Sequence, residues 1–126
     1  MSARRPTIGT ANEAALEREA RIARETRPLR HALRQTEHYT DLRGHHHPLA
    51  AMSAAEALLV LALLERHAGT LHRGELGEHL VNAIGAPSDA GRHGAIEAGR
   101  QEASLDAPEW LRQTPLHRAL TQRASQ

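Results

Sequence analysis

The apolar residues of this chain are almost all leucine and alanine, and this restricts its fold more than any other feature. The sequence contains no Phe, one Trp and one Tyr, with two Val and four Ile. Strands favour β-branched and aromatic side chains, whereas Ala, Leu, Arg and Glu are strong helix formers. A length of 126 residues suits one domain. We therefore expect an all-α fold, a compact bundle of about five to six helices.

The composition also excludes several kinds of chemistry. The chain has no cysteine, which rules out disulfides, thiolate metal sites and thiol nucleophiles. All sixteen basic residues are arginine, so no lysine can form a Schiff base. The longest apolar run, residues 54–64, is far shorter than the ~20 residues of a membrane span. We expect a cytoplasmic protein with no membrane partner, no cofactor and no enzymatic activity.

Composition divides the chain into three regions. Residues 1–10 are predicted to be a disordered lead-in, residues 11–48 a polar, arginine-rich helical arm with a histidine-rich loop, and residues 49–123 the helical core. Pro28 is expected to end one helix of the arm and start another that reaches residue 38, because proline restricts the residue before it and lacks an N–H. Residues 39–49 are predicted to be the loop.

Capping signals place the helices of the core. Ser53, with Glu56 three residues later, predicts the start of a helix over residues 54–67. This helix is apolar around most of its circumference, which suits a central position or a dimer seam. Gly69 is expected to end it in a left-handed conformation, and Thr70 to cap the next helix. That helix should bury Leu76, Leu80, Val81 and Ile84, followed by helices after Ser88 or Asp89, Asp106 and Thr114.

The segment over residues 56–100 resembles the helix-turn-helix unit of DNA-binding regulators. Residues 70–76, Thr-Leu-His-Arg-Gly-Glu-Leu, are similar to the opening of the second helix in winged-helix and related regulators. The resemblance implies that residues 89–104 form the groove-reading helix. It departs from that pattern in a late break at residues 85–88, a glycine-rich reading helix and the lack of a β-wing.

A DNA-binding regulator is the first functional hypothesis. Arginine and histidine side chains can reach phosphates and base edges, and an arginine stripe also lies along the N-terminal arm. The alternative for the stripe is a solvated face neutralised by neighbouring glutamates. The predicted nucleic-acid-binding residues are Arg73, Arg92, His93, Arg100 and Gln101 in the core and Arg24, Arg27 and Arg34 in the arm.

The second hypothesis is a protein-binding adaptor or inhibitor of the kind that phages and plasmids encode. The polar helices of residues 11–38 bury too little apolar surface to be stable alone, which is typical of segments that fold on a partner. Tyr39 and Trp110 are the large aromatic residues that would anchor such an interface. Leu58 and Leu61 would contribute to it or to a homodimer seam.

Histidines suggest two weaker metal candidates. His45, His46 and His47 form one run, although adjacent loop residues point apart and a solvated loop is the simpler interpretation. His72, Glu75 and His79 share one helix face by their spacing, where they could hold a metal ion or transfer a proton. Both sets lack an obvious ligand from a second element, so we predict no metal site.

Overall fold

The fold is built almost entirely from helices. A computed structural model describes the backbone of residues 8–41 and 43–126 and the side chains of residues 12–41 and 43–126. Within them the helices are α1 (Ile8–Ala32), α2 (Ala54–Arg66), α3 (Ala68–Ile84), α4 (Asp89–Ala103), α5 (Ala107–Arg112) and α6 (Pro115–Ala124). Two short strands, β1 (His38–Thr40) and β2 (His46–Pro48), precede a single 3₁₀ turn, Leu49–Ala51. The prediction of an all-α fold is confirmed.

Three of the helix starts follow the capping signals of the sequence. The side chain of Ser53 accepts a hydrogen bond from the Glu56 N–H at 3.1 Å, and that of Asp106 accepts one from the Glu109 N–H at 2.9 Å. Ser88 caps α4 in the same way, through the Gly91 N–H at 3.1 Å. Each cap satisfies a backbone donor that the helix itself cannot pair, which explains why these starts could be located from sequence.

The helix α1 runs through Pro28, so the expected break there is wrong. It forms one helix of 25 residues and ends at Ala32, six residues before the predicted end. Its residues contact α3 on both sides of the proline, through Ala23 and Arg30 among others. Tertiary packing of this kind outweighs local propensity. The helix begins at Ile8, inside the predicted lead-in, and residues 1–7 lie outside the described part of the chain.

The central element is α3 rather than α2. It packs against α1, α4 and α5, whereas α2 packs mainly against α6. Only one face of α2 is covered, through Ala57, Leu61 and Leu64. Leu58 and Leu59 on the other face are 57% and 71% exposed. The central position expected for residues 54–67 is therefore wrong, whereas the alternative, a dimer seam, stays a prediction, and an apolar surface remains on α2.

The buried face of α3 also differs from the prediction. Leu80, Val81 and Ile84 are exposed, and the buried residues are Ala68, Leu71, Gly74, Glu75, Gly77 and Ala83. The glycines allow α1 to approach closely, since a Cβ on Gly77 would lie 2.8 Å from the Glu19 carbonyl oxygen. Gly69 lies in the first turn of α3 and ends no helix. Among the described residues the positive φ belongs to Gly44.

The helices α3 and α4 form an antiparallel hairpin. His72, near the start of α3, donates from Nε2 to the carbonyl oxygen of Glu102, near the end of α4, at 2.8 Å. Further along, Gly99 lies against His79, and Ala83 and Ala95 line one cavity. The helices thus run side by side over about three turns. A helix-turn-helix unit crosses nearer to a right angle, so the resemblance in sequence does not extend to this geometry.

The strands β1 and β2 form a β-hairpin where a loop was predicted. The strands pair His38 with Pro48, Tyr39 with His47 and Thr40 with His46. Asp41 shapes the turn by accepting backbone N–H groups, and Gly44 adopts a φ of 83°. The hairpin is held because Tyr39 is buried in the core. A strand of three residues is too short for its period to be read from sequence.

The core joins the hairpin, α2, α3, α5 and α6. Its large fully buried side chains are leucines, packed with Tyr39 and Trp110. The largest of them are Leu33, Leu64, Leu71, Leu111, Leu116 and Leu120. Over the described residues, the helices are too short or too polar to cross a membrane.

Candidate functional site

An arginine–glutamate network lies between α1 and α3. Arg30 is 4% exposed and donates from Nη1 to Oε2 of Glu75 at 2.8 Å. It also donates to Thr26 Oγ1 at 2.9 Å and to the Ala23 carbonyl at 2.6 Å. Gly74 leaves the space that Thr26 and the guanidinium fill. A buried guanidinium with all three nitrogens hydrogen-bonded can be tolerated only as part of such a network.

Glu75 is the centre of this network. Its Oε1 accepts a hydrogen bond from Nη2 of Arg34 at 3.2 Å and lies 3.7 Å from Nε2 of His79. The sequence analysis singled out Glu75 and Arg34 but missed Arg30. In a polar helix the residues that flank a buried arginine in sequence are like those that flank a solvated one. The available signal was the pair of glycines on α3, Gly74 and Gly77, which predicts a close helix contact.

A cavity of about 420 Å³ lies beside the network. It is lined by residues from α1, α3, α4, α5 and α6 and from the segment after α1, with charged, amide and aromatic groups among them. They include Arg30, Arg34, Glu75, Gln101, Glu102 and Trp110. The mixed lining suits a small polar ligand or ordered water better than an apolar molecule.

The expected alignment of His72, Glu75 and His79 is only partly present. Glu75 and His79 meet, but the Nε2 of His72 bonds to the Glu102 carbonyl and its ring lies 5.3 Å from that of Trp110. The side chain of Glu102, from α4, takes the place expected for a second histidine. Ligand atoms of Glu75, His79 and Glu102 all lie within 4.8 Å of one another.

His79 carries a polar atom that the surrounding chain does not satisfy. Its Nε2 is buried and has no hydrogen-bond partner among the residues that the structure describes. A buried nitrogen of this kind costs about 1–3 kcal/mol when unpaired, and such groups are rare in folded proteins. This nitrogen lies 3.7 Å from Oε1 of Glu75. The three-residue group therefore contains one unpaired nitrogen that could bind a ligand.

Three of the arginines predicted to bind nucleic acid are hydrogen-bonded to carboxylates. Arg27 forms a two-point pair with Glu78, both contacts at 2.9 Å, and Arg73 contacts Glu19 at 2.6 Å. These carboxylates raise the pKa of both arginines, and Arg27 lowers the pKa of Glu78. Arg34 binds Glu75. The arm is thus attached to α3 by charge, and Arg24 is exposed.

The residues predicted on α4 are all exposed. They are Arg92, His93, Arg100 and Gln101. Arg92 and Arg100 approach acids of their own helix, Asp89 at 3.8 Å and Glu97 at 4.0 Å. Eight residues separate the two arginines, which places them about 80° apart around the helix. The outer face of α4 is therefore accessible but balanced in charge.

The histidines of the hairpin point to different partners. His47 Nε2 lies 2.9 Å from Oδ2 of Asp41, and His45 Nδ1 lies 3.7 Å from the same oxygen. His46 Nδ1 instead contacts Thr40 Oγ1 at 2.9 Å. The hydrogen bond from His47, followed by backbone N–H groups, lowers the pKa of Asp41 to about 2. The three imidazoles are therefore divided between two partners.

Most of the predicted protein-interface residues are buried. Tyr39, Leu61 and Trp110 belong to the core and cannot anchor a partner in this fold, because large apolar side chains were drawn into the little apolar volume available. Leu58 is exposed, next to Leu59. The chain matches no protein-family model, and comparisons with curated proteins and with solved structures found no match either.

Proposed function

We propose that this chain is a protein-binding module, an adaptor or inhibitor, that self-associates through α2. The observation that carries the proposal is the α2 stripe, which we define as Ala55, Leu58, Leu59 and Ala62, all exposed. Their spacing places them on one face of the helix, opposite the face that packs on α6. Adjacent exposed leucines on a helix suit an interface better than solvent.

The second copy of the chain is the occupant that fits the stripe best. A two-fold interface places each residue against its symmetry equivalent, so the surface must complement itself. Antiparallel α2 helices would bring Glu56 at the start of one helix near Arg66 at the end of the other, and both are exposed. The same arrangement sets Leu59 against the small side chain of Ala62. A single helix thus provides both the opposite charges and the complementary side-chain sizes of this interface.

The expected dimer is weak. Each α2 has 13 residues, or about 20 Å of helix, and its exposed apolar residues are the four of the stripe. Such an interface falls at the small end of specific contacts. We expect reversible dimerisation with a dissociation constant of about micromolar or weaker.

Sedimentation equilibrium tests the proposal. Wild-type protein is expected to change from monomer to dimer with concentration, and Leu59→Glu to remain monomeric. The matched control is Ile84→Glu, because Ile84 on α3 is 58% exposed and lies outside the stripe. This control should dimerise like the wild type. A wild-type protein that stays monomeric to millimolar concentration, or a Leu59→Glu variant that still dimerises, would overturn the proposal.

DNA binding is the second candidate function, favoured by the exposure of Arg92, His93, Arg100 and Gln101 on α4. The measurement is the fluorescence anisotropy of a 30-base-pair duplex at about 50 and 200 mM salt. Binding that weakens steeply with salt and is reduced by Arg92→Ala and Arg100→Ala would support this function. Binding that is absent at low salt would rule out non-specific contact with phosphates.

A further inference from the structure

We propose that Glu75, His79 and Glu102 bind a divalent first-row transition-metal ion and so connect α3 to α4. Glu75 and His79 lie one turn apart on α3, and Glu102 comes from the end of α4. One ligand atom of each lies within 4.8 Å of the other two. The site draws on two helices, which is the feature that the sequence alone could not supply.

The geometry needs only small adjustments to hold an ion. Metal–ligand bonds of about 2.1 Å place tetrahedral ligand atoms about 3.4 Å apart. His79 Nε2 and Glu75 Oε1 are 3.7 Å apart. The carboxylate of the half-buried Glu102 can move closer to these two atoms by side-chain rotation. The ion would also satisfy His79 Nε2, the buried atom that lacks a hydrogen-bond partner among the described residues.

The two arginines bound to Glu75 determine which of its carboxylate oxygens is available to an ion. Arg30 bonds to the far oxygen, Oε2, and can keep that bond, which would orient the carboxylate. Arg34 shares Oε1 with the proposed site, but its side chain is 63% exposed. It can turn into solvent when an ion takes Oε1. Arg34 is therefore a competitor for the metal, and removing it should tighten binding.

One imidazole and two carboxylates determine the class of ion. Imidazole suits Zn²⁺, Ni²⁺, Cu²⁺ and Fe²⁺, whereas Mg²⁺ prefers oxygen ligands and water. Glu75 and Glu102 also line the cavity of about 420 Å³, which could supply water or a small ligand to a remaining coordination position. We use Zn²⁺ as the probe and Mg²⁺ as the comparison.

Calorimetric titration with ZnCl₂ tests the site. The protein used is the full chain carrying His45→Asn, His46→Asn and His47→Asn, because the exposed hairpin histidines could bind Zn²⁺ by themselves. We expect this chain to bind one Zn²⁺ and not to bind Mg²⁺. Adding Glu102→Gln or His79→Asn should weaken binding at least about tenfold.

Further variants give results that a merely structural cluster would not produce. Arg34→Gln should strengthen Zn²⁺ binding, whereas Arg73→Gln, which removes an equal charge from a position on α3 that pairs with Glu19, should leave it unchanged. His93→Asn is the control for an exposed histidine of α4. Circular dichroism checks that each variant is folded. Zn²⁺ should also slow the amide hydrogen exchange of α4, because the ion joins its end to α3.

The outcomes separate clearly. Loss of binding in Glu102→Gln together with tighter binding in Arg34→Gln supports the site. The proposal is wrong if the hairpin-substituted chain binds no Zn²⁺ at millimolar concentration. It is equally wrong if Glu102→Gln, folded by circular dichroism, binds Zn²⁺ as tightly as its parent.

Discussion

At the scale of single residues, one carboxylate, that of Glu75, joins two arginines and a histidine. It receives the buried Arg30 on one oxygen and Arg34 on the other, and it approaches His79. Removing one member of a buried ion pair leaves the other charge uncompensated in a medium of low polarity. The attachment of α1 to α3 therefore depends on this one carboxylate more than on the exposed pairs around it.

Replacing Glu75 by glutamine should lower the free energy of unfolding by about 3 kcal/mol, because the buried Arg30 loses the carboxylate to which it is hydrogen-bonded and keeps only Glu78, 3.9 Å away. The matched control is Glu78→Gln, on the same helix, whose main partner Arg27 is exposed. That variant should unfold within about 1 kcal/mol of the wild type. Urea denaturation followed by circular dichroism measures both, and equal losses in the two variants would contradict the prediction.

The stability of the hairpin should depend on pH through the carboxyl group of Asp41. Its pKa falls from 3.8 to about 2 in the folded chain, chiefly because of the hydrogen bond with His47. A lowered pKa stabilises the fold above the unfolded value, and the stabilisation is lost as pH falls from about 4 to about 2. The hairpin cross-peaks between Tyr39 and His47 in NMR spectra should weaken over this range. In Asp41→Asn they should show no such transition.

At the scale of elements, glycines have opposite roles in two adjacent helices. Gly77 of α3 faces the backbone of α1, and a Cβ there would lie 2.8 Å from the Glu19 carbonyl. A Cβ on Gly94 of α4 would meet nothing within 4 Å among the described residues beyond its own helix backbone and chain neighbours. Glycine is unfavourable in both helices by propensity, so only the close approach of α1 justifies it in α3.

The same substitution should therefore change stability in opposite directions at the two sites. Gly77→Ala is expected to lower the free energy of unfolding by about 1–2 kcal/mol, since overpacking outweighs the gain in propensity. Gly94→Ala should raise it by about 0.5–1 kcal/mol. Thermal unfolding of both variants measures the difference. A stabilised Gly77→Ala would mean that α1 does not pack as closely as the structure shows.

At the scale of the whole molecule, α4 is the most weakly held long helix. Every one of its residues is exposed or half-buried, and it rests on α3 alone for most of its contacts. The helices α2 and α6, by contrast, each contribute fully buried leucines to the core. Local opening requires least free energy where few apolar contacts are lost.

Amide hydrogen exchange should show this difference directly. In the metal-free protein, α4 amides should exchange well before those of α3 and α6, with protection limited by local opening. The measurement is exchange followed by mass spectrometry or NMR at neutral pH. Uniform protection across α3, α4 and α6 would show that the molecule opens only as one unit.

The sequence by itself determined the class of fold and most helix starts. Leucine, alanine and arginine favour helices wherever they lie, and a cap such as Ser53 acts on the backbone three residues away. Such interactions are local, so they can be read along the chain. The same reading failed at Pro28, Gly69 and the β-hairpin, where local preference was outweighed by packing.

Only the tertiary structure decided which side chains meet. The pairing of Arg30 with Glu75 joins residues 45 positions apart, and Glu102 reaches the Glu75–His79 pair from another helix. Nothing local distinguishes Arg30 from its solvated neighbours, or the exposed Leu58 from the buried Leu61. Burial depends on where distant helices pack, and that arrangement minimises the free energy of the whole chain rather than that of any segment.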